Sequence, residues 1–299
     1  MAPVVLLAGG TGGAKLARGM LDELGSDLVV IANTGDDIEI YRAHVSPDPD
    51  LVTFWLADAI DARGWGLAGD TFAAMDQLRA LGEAIWFNLG DRDLAIGLHR
   101  ARRLADGARL TEALDDLRRA FGVPARVLAA TDDPLRTWIR ARGDWRPFQD
   151  FMIRARGEGP IEDVEYRGAA TARPTPEALR ALAGARAIVI GPSNPVLSID
   201  PILAVLGDAL RVAAAPVVAV SPLVRGAVLK GPTAACLQWA GRSLDSDGIA
   251  AHYEGLIDGL VADERARDVP TLETDVELSD PDARRRVARE ALAFAAALG

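Results

Sequence analysis

The apolar run Val4-Val5-Leu6-Leu7-Ala8 passes straight into Gly9-Gly10-Thr11-Gly12-Gly13-Ala14-Lys15 and then into a helical pattern from Ala14 to Leu24. No other stretch constrains the fold as much. A strand that enters a helix through a glycine-rich turn is the first half of a βαβ unit, which implies a parallel sheet covered by helices. The same turn can cradle an anion: glycines let the backbone approach closely and aim successive N–H groups at it, and the helix adds the positive end of its dipole. Four glycines in the five positions from Gly9 to Gly13 also cost more chain entropy than a ligand-free turn requires. The turn is not a Walker A loop, because Lys15 lies between Ala14 and Leu16 and the magnesium-binding hydroxyl is missing. As a dinucleotide fingerprint it is incomplete: Lys15 stands where the third glycine belongs, and the second strand ends in Asn33-Thr34 instead of an acid.

Short apolar runs without strict alternation recur at Val4 to Ala8, Leu28 to Ala32, Arg126 to Ala130, Ala187 to Ile190 and Val217 to Val220. Such strands are buried on both faces. Helical patterns separate them at Lys15 to Leu24, Leu51 to Ala62, Thr71 to Leu81, Leu94 to Leu104, Thr111 to Phe121, Pro176 to Leu182 and Ile199 to Leu206. The expected fold is therefore α/β: one Rossmann-like domain over residues 1–299, its mostly parallel sheet covered by helices on both faces. From about 137 to 170 the pattern becomes alternating and charged, at Trp138 to Arg140, Phe148 to Arg154 and Val164 to Arg167. This predicts a small inserted subdomain, partly antiparallel. Asp280-Pro281 followed by Arg284 to Leu298 reads as a capped terminal helix. Ligands in such folds bind beyond the carboxyl ends of the strands, so the loops after Ala8, Ala32, Ala130, Ile190 and Val220 are where chemistry is expected.

A formal charge of -10 opposes binding to nucleic acid or anionic lipid. No apolar run reaches the roughly 18 residues of a membrane helix, and no signal peptide is recognisable, so a soluble, cytoplasmic protein is expected. The single cysteine, Cys236, reads as core. His44, His99 and His252 are too scattered for a zinc site or a serine triad. The oligomeric state stays open, a homodimer included.

Three constellations carry chemistry. Asp36 and Asp37 follow the second strand, and Asp48 and Asp50 come soon after, so four carboxylates crowd one loop region suited to a hard cation such as magnesium. Turn formation and helix capping are the plainer explanation for each pair alone. Gly90-Asp91-Arg92-Asp93 opens a helix, and an ion-paired cap explains it about as well as a binding site. Gly191-Pro192-Ser193-Asn194-Pro195 offers a hydroxyl and an amide, from Ser193 and Asn194, suited to a base edge or a phosphate. Trp65, between Gly64 and Gly66, has little core to fill and could stack on a flat ligand.

The order of these segments resembles the 2-phospho-L-lactate transferase (CofD/FbiA) family of deazaflavin coenzyme F-420 biosynthesis. The resemblance runs from Gly9-Gly10-Thr11-Gly12 through Asn33-Thr34-Gly35-Asp36-Asp37, Ser46-Pro47-Asp48, Arg63-Gly64-Trp65-Gly66, Leu89-Gly90-Asp91-Arg92-Asp93, Asp132-Asp133-Pro134, Phe148-Gln149-Asp150 and Gly191-Pro192-Ser193-Asn194-Pro195 to Val220-Ser221-Pro222. It implies transfer of a phospho-carboxylate unit (phospholactyl, phosphoenolpyruvyl or phosphoglyceryl) from a guanosine diphosphate-linked donor to a hydroxyl of the deazaflavin Fo. GMP is released and Mg2+ assists. The resemblance assigns the nucleotide to Gly9, Gly10, Thr11, Gly12, Gly13, Lys15, Asn33, Ser193 and Asn194. Magnesium falls to Asp36, Asp37, Asp48 and Asp50, with Asp36 and Asp50 the principal catalytic acids. The deazaflavin falls to Trp65, Gly90, Asp91 and Arg92. Family members often read P-D-L-D-T, whereas this chain has Pro47-Asp48-Pro49-Asp50-Leu51, which keeps both acids on an altered backbone. Two rivals remain: a nucleotide-sugar-binding regulator of the related gluconeogenesis-factor type, and an NAD-linked dehydrogenase. Asp36-Asp37-Ile38 disfavours the first, and the incomplete fingerprint the second.

Overall fold

The computed structural model describes residues 2–299. The chain begins with β1 (Val4–Ala8), α1 (Gly10–Leu24) and β2 (Leu28–Ala32), then a hairpin of β3 (Ile38–Ile40) and β4 (Ala43–Val45). Helices α2 (Pro47–Leu56), α3 (Ala73–Ala80), α4 (Asp91–Ala105) and α5 (Leu110–Ala120) lead to β5 (Arg126–Ala129). The antiparallel strands β6 (Arg136–Ala141), β7 (Asp144–Pro147) and β8 (Ile161–Arg167) form a separate sheet, after which α6 (Pro176–Ala183) returns the chain to β9 (Ala187–Ile190). The rest runs α7 (Asp200–Arg211), β10 (Val217–Val220), the short pair β11 (Leu223–Val224) and β12 (Ala227–Val228), and α8 (Thr233–Trp239). It closes with α9 (Ser246–His252), β13 (Gly259–Ala262), β14 (Thr271–Glu273) and α10 (Pro281–Leu298).

Seven parallel strands make the main sheet in the order β5-β2-β1-β9-β10-β13-β14. The chain starts in the middle, winds to one edge and then to the other, the doubly wound order whose switch point lies between β1 and β9. Strand periodicity divides β1 between two cores. Val4, Leu6 and Ala8 pack with Ala17 and Met20 of α1, Val52 of α2 and the alanine-rich face of α10. Val5 and Leu7 pack on the other side with α6, α7 and α9. Each fully buried aliphatic chain in these layers contributes about 1.5–3 kcal/mol.

All five expected strands are present, and two more, β13 and β14, extend the sheet. Gly259 opens one and the other has three residues, so neither carries a readable pattern. Three expectations shift. Helix α1 starts at Gly10, so most of the glycine stretch is its first turn. Helix α2 covers Pro47–Leu56, not Leu51 to Ala62, because Pro47 presets the first helical φ and Asp48 and Asp50 favour the first turn. The segment Phe148 to Arg154 is not a strand but holds a π-helical turn, Asp150–Arg154, which buries Phe151 against the small sheet. Cys236 is buried as expected, and no helix among the described residues is long and apolar enough to cross a membrane.

Candidate active site

At the switch point the turns after β1 and β9 are stitched together. The Ser193 hydroxyl donates to the Gly9 carbonyl at 2.6 Å and accepts from the Gly9 N–H at 3.2 Å. A Cβ at Gly12 would run into the Pro192 carbonyl oxygen, and Gly10 has a φ of +58°. The glycines are thus demanded first by backbone packed against backbone. What this leaves open is the start of α1. First-turn N–H groups have no acceptor inside a helix, and those of Thr11 and Gly12 have no bond to the rest of the described chain.

Carboxylates crowd beside that opening. Asp48 accepts from the Gly10 N–H at 2.6 Å and from Asn33 Nδ2 at 2.9 Å, so it already sits at the positive end of α1. Asn33 also reaches Asp36 at 3.5 Å, while its own oxygen accepts from the Gly35 N–H at 2.7 Å. Burial, then the charges of Asp48 and Asp37, push the Asp36 carboxyl well above the usual range. Burial likewise lifts Asp48 to about 6, against the pull of the Asn33 and Gly10 hydrogen bonds. Two buried acids that repel each other want a cation or a shared proton. Among the described residues no three His, Cys, Asp or Glu side chains form a complete cage for a metal ion. Asp36 and Asp48 do suit a magnesium ion whose remaining ligands are substrate oxygens and water.

The other two acids are already engaged. Asp37 accepts from the Ser46 hydroxyl at 2.6 Å and faces His44 Nε2 at 3.0 Å. Burial works against a charged His44, but Asp37 and Glu39 outweigh it and raise the imidazole above its ordinary value. Asp50 is gripped by both terminal nitrogens of Arg100, a fully buried arginine that also donates to the His44 carbonyl at 2.9 Å. As placed, the Asp50 carboxylate that was expected to serve a metal is paired with a guanidinium. Arg100 itself was invisible in the sequence, one arginine among several on a helix face.

The remaining expected residues divide. Ser193 is tied to Gly9, and Asn194 accepts from the Val196 and Leu197 N–H groups at 3.0 Å each, capping a π-helical turn. Both shape the loop, and the Asn194 amide nitrogen donates to Cys236 Sγ at 3.4 Å. Asp91 accepts from the Thr71 hydroxyl and from the Ala73 and Ala74 N–H groups, closing the start of α3. Asp70 performs the same service for Arg92 and Asp93 at the start of α4 and packs so close to Gly90 that no side chain fits there. Gly90 and Asp91 thus serve the starts of these helices, and the Arg92 side chain donates to the Ala68 carbonyl. Trp65 is 64% exposed beneath Arg63, on a loop whose Gly66 passes near the Asp93 carboxylate. Burial, then Asp50 and Asp70, push Asp93 up to about 7. A cavity of about 190 Å³ opens beside Asp36, walled by Trp138, Phe148 and Gln149. Gln149 donates to the Asp36 carbonyl at 3.1 Å, and the buried Thr137 hydroxyl in the same lining has no partner.

A doubly wound sheet with unclaimed helix donors and buried acids at its switch point defines a Rossmann-like α/β enzyme of small-molecule chemistry. The chain belongs to the 2-phospho-L-lactate transferase CofD family, whose sequence model matches residues 4–293. It is 37% identical over 266 residues to the 2-phospho-L-lactate transferase of Methanosarcina mazei, covering 88% of each chain. It is 34% identical to that of Methanocaldococcus jannaschii, covering 99% of each. The phosphoenolpyruvate transferase of Thermobifida fusca is equally similar, 37% identical across 98% of this chain and 97% of its own. A UPF0052 family protein of Bacillus halodurans shares the fold, with a TM-score of 0.64 at 16% identity over 98% of this chain and 99% of that one.

Proposed function

We propose that this transferase moves a phospho-carboxylate unit from a guanosine diphosphate-linked donor to the deazaflavin Fo and releases GMP. The observation that carries this reading is the juxtaposition at the switch point: unclaimed N–H groups of Thr11 and Gly12 beside the two repelling carboxyls of Asp36 and Asp48. The donors suit the diphosphate, and the acids suit a magnesium ion, which when bound would neutralise charge on the transferring phosphoryl group. Asn33 holds both acids, Asp37 is held by Ser46 and His44, and Asp50 anchors Arg100 beneath them. Ser193 and Asn194 act on the nucleotide through the loop they fix. The flat acceptor lies against the cavity of Trp138 and Phe148, because half-buried aromatic side chains lining a cavity desolvate a ring better than Trp65 can at 64% exposure.

Incubation with Fo, magnesium and each guanylylated donor in turn, followed by mass spectrometry, tests the reaction. Fo carrying the phospho-carboxylate together with GMP is the expected product, and no product from any donor overturns the reading. Relatives named for phospholactate and for phosphoenolpyruvate are equally similar, so the donor that reacts fastest sets the substrate. Trp138→Ala should raise the Fo constant about tenfold, the weight of one stacked ring. If Trp65→Ala does so instead, the ring lies on the other flank. The regulator alternative predicts tight UDP-sugar binding without turnover, which calorimetry separates.

A further inference from the structure

The chain has 31 arginines and only two lysines, Lys15 and Lys230, and the fold brings their charges within reach of each other. Lys15 leaves α1 with its ammonium 5.9 Å from the centre of the Trp55 ring, and the Arg284 guanidinium lies 5.1 Å from the same centre. Arg284 reaches it because Gly19 lets the backbone of α10 lie directly on α1. Lys230 is close enough for its charge to act on Lys15. Burial first, then Arg284 and Lys230, lower the Lys15 pKa, and burial followed by Arg18 lowers that of Arg284.

Nearby acids are committed elsewhere. Arg225 holds Glu277 at 3.2 Å, Arg18 holds Asp58 at 2.7 Å, and Asp280 caps α10 through the Ala283 N–H at 2.9 Å. Among the described residues no carboxylate pairs with Lys15, Lys230 or Arg284. Most other arginines of the chain have a carboxylate in direct contact, whereas this cluster has only the longer-range charges of Glu277, Asp280 and Asp58 to balance it, which is unusual in a protein of charge -10. A separate observation points the same way. Trp55 is only 8% exposed, yet its indole N–H finds no acceptor. A buried donor without a partner is costly unless a ligand supplies one.

We infer that Lys15, Lys230, Arg284 and the Trp55 N–H form a binding subsite for a phosphate-type oxyanion between α1 and α10. Two cations over the Trp55 ring, a third whose charge reaches Lys15, and an orphaned donor at the ring's edge lack only a compact acceptor of multiple charge, and lysine serves such an anion as a point charge. Lys15 lies five residues beyond Gly10, about 7.5 Å of helical rise, and helical side chains lean toward the amino end, so Lys15 marks the side of the subsite nearer the diphosphate cradle. The phosphate-bearing donor proposed above would supply such an anion. A free phosphate would satisfy the same chemistry.

Calorimetry with inorganic phosphate, at low ionic strength and without substrate, tests the subsite independently of turnover. Wild-type protein should bind. Lys230→Ala and Lys15→Met should each weaken binding about tenfold or more, Trp55→Phe several-fold, and Lys230→Arg little. Phosphate affinity unchanged in Lys230→Ala and Lys15→Met, with melting temperatures also unchanged, overturns the proposal. Should Lys15→Met unfold, the exposed Lys230 decides. Displacement of phosphate by GDP identifies the donor as the source of the anion, and simultaneous binding identifies a separate one; both outcomes need the subsite. Failure of transfer with intact phosphate binding would sink the functional reading alone.

Discussion

The crevice at Gly9 and the ridge from Trp65 to Asp93 carry similar sequence signals, glycines set among acids, yet the structure uses them differently. In the crevice Asn33, Gly10, Ser46 and Arg100 converge on four buried carboxylates that belong to different turns. On the ridge Asp70 and Asp91 each close the start of a helix, an exchange completed within one local segment. Acids that must be held by distant partners serve the fold's shared centre. Acids that find backbone donors nearby serve the elements themselves.

That contrast breaks first at Arg100. Arg100→Met leaves the buried Asp50 carboxylate without its partner and should destabilise the protein by about 3–5 kcal/mol in chemical denaturation. Adding Asp50→Asn should recover part of the loss, since the two residues act as a pair. A loss under about 1 kcal/mol would mean that the pair is effectively solvated and that Asp50 is free for a metal after all. Next in size is Asp36→Asn. It removes one of two repelling charges, so the melting temperature should hold or rise while turnover falls about a hundredfold. Parallel loss of both would make Asp36 a structural residue.

The sheet was legible because buried parallel strands are continuous apolar runs, and its switch point was legible because only glycine permits the approach of the Gly9 and Pro192 turns. The acids were legible as a crowd but not as individuals. What separates Asp36 from Asp50 is Arg100, fifty positions downstream of Asp50 on another helix, and nothing local in the sequence announces that meeting. The same holds for Lys15 and Lys230. Ser193 and Asn194 lie in the loop that meets the Gly9 turn, but polar side chains flanked by prolines serve a loop's own backbone as readily as a ligand.

The ridge gives the smaller effects. Asp91→Ala should open the first turn of α3 and lower the melting temperature by about 2–4 °C, the usual worth of one cap in a protein of this size. Turnover should stay near that of the wild type. A collapse of Fo binding at unchanged melting temperature would return Asp91 to the acceptor site.

Asp93 should yield the smallest effect, visible only through pH. Burial and the neighbouring Asp50 and Asp70 disfavour its charge and push the carboxyl up to about 7 in the folded protein, against an ordinary value of 3.8. Between those two values the folded state binds the extra proton, so this group's contribution to stability declines as pH rises from about 4 to 7 and stays low above that. Asp93→Asn is neutral throughout. It should therefore match the wild type near pH 4 and exceed it at pH 8, by about 1 kcal/mol once solvent screening of a partly exposed group is allowed for. Denaturation curves at pH 5 and pH 8 read this directly. A variant that gains nothing at pH 8 would show that Arg63 and Arg92 already neutralise Asp93, and the ridge would then differ from the crevice in charge balance as well as in purpose.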